Sequence, residues 1–305
     1  MPIAILDFGT NTFNLLVAER KDHGFETLYA GKEPVKLGKN GIHNKLLTPE
    51  AIERGYTAIE NHLETIRSLG ATEIRAFATS AIRNAGNGPA FAESVTEKYG
   101  FPVEIVPGNR EADYIYHGVK QAVELAETPS LILDIGGGSN EFILCNRERV
   151  LWKHSFEIGM ARILEHFPIS DPITVWERHL LESYFTKELT RLFNECERHR
   201  PKTLIGASGT FDTFRTMREH RRNLPRDGAP GLSIPLEDFN EIHEILLAST
   251  LEERKSMPGM EPVRVEMIVP ATIFVTFVIR KCGLTGLMQS DYALKEGVLA
   301  TLPGL

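Results

Sequence analysis

Two short segments of this chain combine the residue types that phosphate chemistry needs. Asp7-Phe8-Gly9-Thr10-Asn11-Thr12 and Asp134-Ile135-Gly136-Gly137-Gly138-Ser139-Asn140-Glu141 each set an acid two residues before glycine and follow it with small hydroxyl or amide side chains. Glycine tolerates φ > 0 and lets an anion approach the chain, so a tight turn of this kind exposes successive backbone N–H groups in one direction. Thr10, Asn11, Thr12, Ser139 and Asn140 add side-chain donors. An Asp at each strand end repels phosphate but suits a divalent cation, directly or through its waters, and Mg²⁺ prefers such oxygen ligands. Two facing loops would clamp one phosphate chain with Mg²⁺ between them. One Asp-x-Gly turn alone is an ordinary loop; the matched pair is the informative signal.

Each loop must be positioned by what flanks it, and the flanks repeat. Ile3-Ala4-Ile5-Leu6 leads into the first loop and Leu15-Leu16-Val17 leaves it; about 125 residues further on, Leu131-Ile132-Leu133 and Phe142-Ile143-Leu144 do the same. Two copies of strand, loop and strand predict two similar domains, each beginning with a hairpin. We place them at 1–125 and 126–305, with the junction in the polar stretch Leu125–Pro129. Further strands are expected at Ile74–Ala78, Val103–Val106, Thr203–Ile205 and Gly286–Gln289. The first helix opens at Thr48-Pro49-Glu50, with a hydroxyl cap and a first-turn proline. Its apolar residues Ile52, Tyr56, Ile59, Leu63 and Ile66 step by four and three along one face. Other helices are expected at about 109–125, 175–198, 211–222, 237–249, 264–281 and 292–299. Alternating strands and helices predict the α/β class.

Composition excludes several function classes. Hydrophobic residues are 42% and charged residues 25%, a globular mix. A net charge of −7 disfavours a duplex nucleic-acid binder. The run between Glu266 and Arg280 is too short and interrupted for a membrane span, and Met1–Asp7 does not read as a signal peptide. Three separated cysteines without a CxxC pair fit a reducing, cytoplasmic compartment. GxxxxGK[ST], a strand-following GxGxxG, GxSxG and HExxH are missing, and Cys196 with His199 is too sparse for zinc.

The two loops, with Ala78-Thr79-Ser80-Ala81-Ile82-Arg83, Gly108-Asn109-Arg110-Glu111-Ala112, Gly206-Ala207-Ser208-Gly209-Thr210 and the tail 290–299, occur in an order that resembles the exopolyphosphatase/guanosine pentaphosphate phosphatase family over nearly the whole chain. The resemblance implies two ribonuclease-H-like domains of the actin-like superfamily around a cleft. It also implies Mg²⁺-dependent release of terminal phosphate from inorganic polyphosphate or guanosine pentaphosphate, and is compatible with a homodimer. By resemblance Glu111 is the general base; a first-turn Glu is otherwise an ordinary complement to the helix dipole. Glu141 is assigned to water positioning or metal coordination, with Asp7 and Asp134 as further metal-site acids. Arg83 is assigned to phosphate oxygens, with Gly136, Gly137 and Gly138 as backbone donors.

Three departures bear on substrate. Asn14 stands where several family members carry Arg, Arg110 replaces an acid before the base, and Pro270-Ala271-Thr272 lacks a glycine at a helix start that approaches the nucleoside in actin-like folds. These favour inorganic polyphosphate over guanosine pentaphosphate. A cationic track for distal phosphates is expected in the densest basic cluster, Arg215, Arg218, His220, Arg221, Arg222 and Arg226, whose ordinary alternative is a solvated helix face. Competing readings are guanosine pentaphosphate phosphohydrolase, a kinase of the same superfold and a non-catalytic nucleotide or polyphosphate sensor.

Overall fold

The computed structural model describes residues 1–21, 24–226 and 228–302. In the first half, β1 (Pro2–Phe8), β2 (Thr12–Lys21), β3 (Gly24–Pro34), β4 (Glu73–Ala78) and β5 (Val103–Ile105) form a sheet of order β3-β2-β1-β4-β5. The helices of this half are α1 (Pro49–Ser68), α2 (Ser80–Asn84), α3 (Gly88–Tyr99) and α4 (Gly108–Ala122). The second half repeats the plan. Strands β6 (Ser130–Ile135), β7 (Asn140–Cys145), β8 (Val150–Phe156), β9 (Thr203–Ala207), β10 (Gly231–Ser233) and β11 (Gly286–Ser290) order as β10-β11-β9-β6-β7-β8. Its helices are α5 (Met160–His166), α6 (Val175–Glu188), α7 (Thr190–His199), α8 (Gly209–Arg222), α9 (Leu236–Ala248), α10 (Leu251–Lys255), α11 (Ile268–Cys282) and α12 (Leu294–Thr301).

In both sheets the first strand pairs antiparallel with the second and parallel with the fourth. This is the ribonuclease-H-like arrangement, present twice, so the α/β actin-like expectation holds. The strands β1, β6 and β7 are buried along nearly their whole length because both faces of each sheet are covered. The helix α1 forms as its sequence predicts: the Thr48 hydroxyl accepts from the Ala51 N–H at 3.3 Å, and Ile59, Leu63 and Ile66 are buried against the first sheet.

The last helix crosses back to the first half. Helix α12 returns to α4, and Leu294, Val298 and Leu299 share a core with Ile115 and Val119. A Cβ at Gly297 would collide with the Tyr114 carbonyl, and one at Gly118 with the Ala293 carbonyl. The two backbones therefore touch directly, and this contact ties α12 to the element that carries Glu111.

Several sequence expectations need correction. The edge strand β3 and the strand β8 escape periodicity: β3 is mostly exposed, with Gly31, Lys32 and Glu33 near its end, so it lacks an alternating apolar pattern. The expected helix at 175–198 breaks at Leu189 into α6 and α7. The expected helix at 264–281 becomes a 3₁₀ turn at Pro262–Arg264 followed by α11. The helix expected from about 109 starts at Gly108 behind Pro107, and Glu111 falls in its first turn.

Candidate active site

The two Asp-x-Gly loops close in the same way. Gly9 N–H donates to the Thr12 carbonyl at 3.1 Å, and Gly136 N–H donates to the Ser139 carbonyl at 3.0 Å. Hairpin register sets Asp7 opposite Asn14 and Asp134 opposite Glu141. Equivalent positions thus hold an amide in one domain and a carboxylate in the other. Asn14 donates to Asp7 Oδ2 at 2.8 Å.

The loops meet tip to tip. A Cβ at Gly138 would stand 2.5 Å from both the Thr10 and Ser80 hydroxyls, and one at Gly137 would collide with the Asn11 side chain. No side chain fits there, so glycine is what allows the domains to approach. The start of α5 fixes the second loop from behind: Met160 and Ala161 N–H donate to the Gly136 and Gly137 carbonyls at 3.0 and 2.9 Å. Between the loops opens a cleft of about 310 Å³ lined by Asp7, Glu111, Asp134, Glu141, Asp212 and Lys295 together with the loop residues Gly9–Thr12 and Gly136–Ser139.

The cleft's acids are unevenly neutralised. Glu111, 7% exposed, accepts from Arg83 Nη1 at 2.6 Å. Burial, reinforced by the Glu141 carboxylate, nonetheless holds its pKa well above the ordinary carboxyl range, against the pull of Arg83. Glu141, 2% exposed, accepts through one oxygen from Ser139 at 2.6 Å and Ser155 at 2.7 Å. Burial and the neighbouring Asp134 raise it to about 7, with those two hydroxyls opposing. Burial lifts Asp134 to about 6, with the Ser208 hydroxyl opposing, and also raises Asp7. Burial alone would depress Lys295, but Glu296, Asp7, Asp212 and Asp134 outweigh it and keep the ammonium charged.

The fit to Mg²⁺ can be judged from the donor set. Among the described residues no three His, Cys, Asp or Glu side chains come together as a metal cage, so Asp7, Asp134 and Glu141 are not a preformed three-ligand site. Asp7 Oδ1, however, is buried with no hydrogen-bond partner. A hard-oxygen orphan facing a phosphate cradle fits a Mg²⁺ held by one or two carboxylates, substrate oxygens and waters.

Comparison with known proteins places this geometry. The sequence model of the Ppx/GppA phosphatase family matches residues 16–303. The chain belongs to the Ppx/GppA phosphatase family. It is 25% identical over 315 residues to exopolyphosphatase 2 of Mycobacterium tuberculosis, covering 99% of this chain and 98% of that protein. A crystal structure of an exopolyphosphatase from Cytophaga hutchinsonii superposes with a TM-score of 0.95 at 36% identity, over 99% of this chain and 97% of that one. A Ppx/GppA family member from Aquifex aeolicus superposes at 0.78 with 25% identity, over 99% and 97%.

Within this Ppx/GppA phosphatase, Thr10, Asn11, Thr12, Gly136, Gly137, Gly138 and Ser139 all line the cleft with Asp7, Asp134, Glu111 and Glu141. Asn140 does not. Its side chain is fully buried and donates to the Ile158 carbonyl at 3.0 Å, so it braces the loop instead of facing the cleft. Arg83 stands behind Glu111, also bonded to the Val106 carbonyl at 3.0 Å and to Glu157 at 3.2 Å. In this structure its guanidinium orients a carboxylate. The cluster on α8 does not reach the cleft apart from the helix's first turn. Arg215 is buried against Glu219 and Asp291, Arg218 and Arg222 pair with Asp238, and Arg221 pairs with Glu241. None of those four arginines lines the cleft, where the track was expected to begin, and acids on α8 itself, on α9 and at Asp291 supply their counter-charges.

Sequence reasoning gave no role to Asp212, Arg264, Lys32 or Lys295, all of which line the cleft. Asp212 is raised to about 6 by burial, with the Gln289 amide opposing. Two signals pointed near them: Asp212 follows the quoted Gly206–Thr210 segment by two residues, and Lys295 lies in the tail that carried the resemblance.

Proposed function

We propose that this Ppx/GppA phosphatase is an exopolyphosphatase, releasing terminal phosphate from inorganic polyphosphate with Mg²⁺. The reading is carried by one observation: the two glycine loops meet face to face beside buried Glu111 and Glu141. The loop N–H groups and the hydroxyls of Thr10 and Thr12 donate to phosphate oxygens. Asp7 and Asp134 are the residues that would hold Mg²⁺, which when bound neutralises charge on the phosphates.

Glu111 then orients and deprotonates the attacking water, with Arg83 fixing the direction of the carboxylate. Its raised pKa makes it a stronger base than a solvated Glu once it is ionised. Glu141 lies beside it, held by two serine hydroxyls, and shares in ordering that water. The phosphorus–oxygen bond to the next phosphate breaks as water adds. Phosphoryl transfer asks mainly for position and charge neutralisation, which these parts supply. The Mycobacterium tuberculosis relative and the Cytophaga hutchinsonii protein are both named exopolyphosphatases, which supports polyphosphate as substrate. Asn14, committed to Asp7, and Pro270, the third residue of α11, favour it over a guanosine nucleotide.

The test is phosphate release from long-chain polyphosphate and from guanosine pentaphosphate, each with Mg²⁺ and with excess chelator. Release from polyphosphate that chelator abolishes is the expected result. Faster turnover of the nucleotide, or acceptor-dependent ADP formation from ATP, overturns the assignment.

A further inference from the structure

In a chain of net charge −7, the segment 32–45 carries Lys32, Lys36, Lys39 and Lys45 against the single acid Glu33. It is fastened to the first phosphate loop. Val35 and Lys36 N–H both donate to the Asn11 carbonyl, at 2.8 and 2.9 Å, and Gly38 N–H donates to the Thr10 carbonyl at 3.3 Å. Lys32 lines the cleft itself. Two of these lysines are covered by acids from the other domain: Lys32 Nζ lies 2.6 Å from both Glu261 oxygens, and Lys36 Nζ lies 2.7 Å from Glu266.

These pairs sit at the surface, with the lysine side chains 37% and 42% exposed and Glu266 56% exposed. Such pairs are worth about 0–1 kcal/mol. A phosphate chain leaving the cleft brings a charge with every unit and can displace single carboxylates at little cost. Glu261 has another cation to turn to, since Arg264 Nε is 4.0 Å away; Glu266 can return to water.

We propose that Lys32 and Lys36 form a distal-phosphate subsite for a linear polyphosphate, occupied by Glu261 and Glu266 as stand-in anions until substrate displaces them. The subsite rests on the exopolyphosphatase reading above. It makes the acids competitors of the substrate, whereas simple struts between domains would help binding by stabilising the closed cleft. The two roles give opposite signs.

The experiment measures KM for long-chain polyphosphate and for tripolyphosphate at fixed ionic strength, in wild type, E261Q/E266Q and K32A/K36A. Removing the acids is expected to lower the long-chain KM roughly two- to fivefold, the size of releasing one or two exposed pairs. Removing the lysines is expected to raise it by a similar factor or more. Both changes should be smaller on tripolyphosphate, which has few distal phosphates. Thermal unfolding of each variant checks that it is folded. If wild type turns over long chains but E261Q/E266Q raises KM or leaves it unmoved, the subsite is wrong and the exopolyphosphatase reading stands. If wild type releases no phosphate from any chain, that reading fails and the subsite falls with it.

Discussion

Two dense charge clusters in this molecule look alike as residue counts and differ in what surrounds them. On α8, Arg218, Arg221 and Arg222 face α9, where Asp238 and Glu241 neutralise them at 2.6–3.1 Å. In the cleft, Asp7, Glu111, Asp134, Glu141 and Asp212 share a cavity with Lys295, while Arg83 reaches Glu111 from behind. The arginines have satisfied partners on the neighbouring helix. The acids keep raised pKa values and an orphan oxygen on Asp7. The acids line a cavity and keep uncompensated charge that a cation-bearing ligand can neutralise, whereas the arginines of α8 line none. Counting charges along a sequence cannot tell the two apart.

The largest effect expected from this contrast is at Glu111. Glu111→Gln keeps the shape and the Arg83 contact but removes the base, and kcat should fall by about 10²–10⁴-fold with KM little changed. Single-turnover phosphate release measures it directly. A loss of only a few-fold would move the base elsewhere, Glu141 being the next carboxylate in place. Next in size is Gly138→Ala. Its methyl needs the space of the Thr10 and Ser80 hydroxyls, so the loops must separate. Misplacement on the scale of 1 Å costs about 10²-fold, and kcat should drop by that order while the variant remains folded by circular dichroism.

Much of this arrangement was legible in the sequence. The duplicated Asp-x-Gly loop announced both hairpins, because strand–turn–strand is a local pattern. Glu111 was placed in a first turn even though the helix starts one residue before its expected position, since so small a shift leaves the first turn where it is. What was not legible is what only folding brings together. Asp212 and Lys295 come from α8 and α12, and no local spacing announces that they end in the same cavity as Asp7. Asn140 does not line the cleft, because its side chain is buried and its amide donates to the Ile158 carbonyl. Edge strand β3 was missed because exposed strands lack alternation, yet it supplies Lys32 to the cleft.

A third, smaller effect is thermodynamic. Glu141 and Asp134 are held at about 7 and 6 in the folded protein, above their ordinary values, so the folded state binds more protons than the unfolded state across the acidic range. Their contribution to stability is complete below about pH 4 and is lost as pH rises through 6 and 7. Without Mg²⁺ or substrate, the melting temperature should therefore gain from moderate acid at these positions. Glu141→Gln, which cannot ionise, should be more stable than wild type at pH 8 by about 2–4 kcal/mol and nearly equal to it at pH 4. Differential scanning calorimetry at the two pH values reads this. A variant less stable than wild type at pH 8 would mean that Glu141 is already compensated.

The smallest effect is expected from the arginines, and it is the sharpest check on the comparison. Replacing Arg218, Arg221 and Arg222 together by Gln removes three positive charges, so any long-range role in attracting a polyanion should appear as a higher KM and a shallower salt dependence. The structure argues for neither. Two of these three charges are offset locally by Asp238 and Glu241, and separations beyond roughly 8–10 Å are screened at physiological salt. What is lost instead is a small ion-pair network between α8 and α9, with Arg218 and Asp238 only 20% and 12% exposed. The triple variant should keep the KM and salt slope of wild type and melt about 2–4 °C lower, the equivalent of about 1 kcal/mol. A changed salt slope with an unchanged melting temperature would invert the distinction, because the arginines would then be acting on substrate and not on α9.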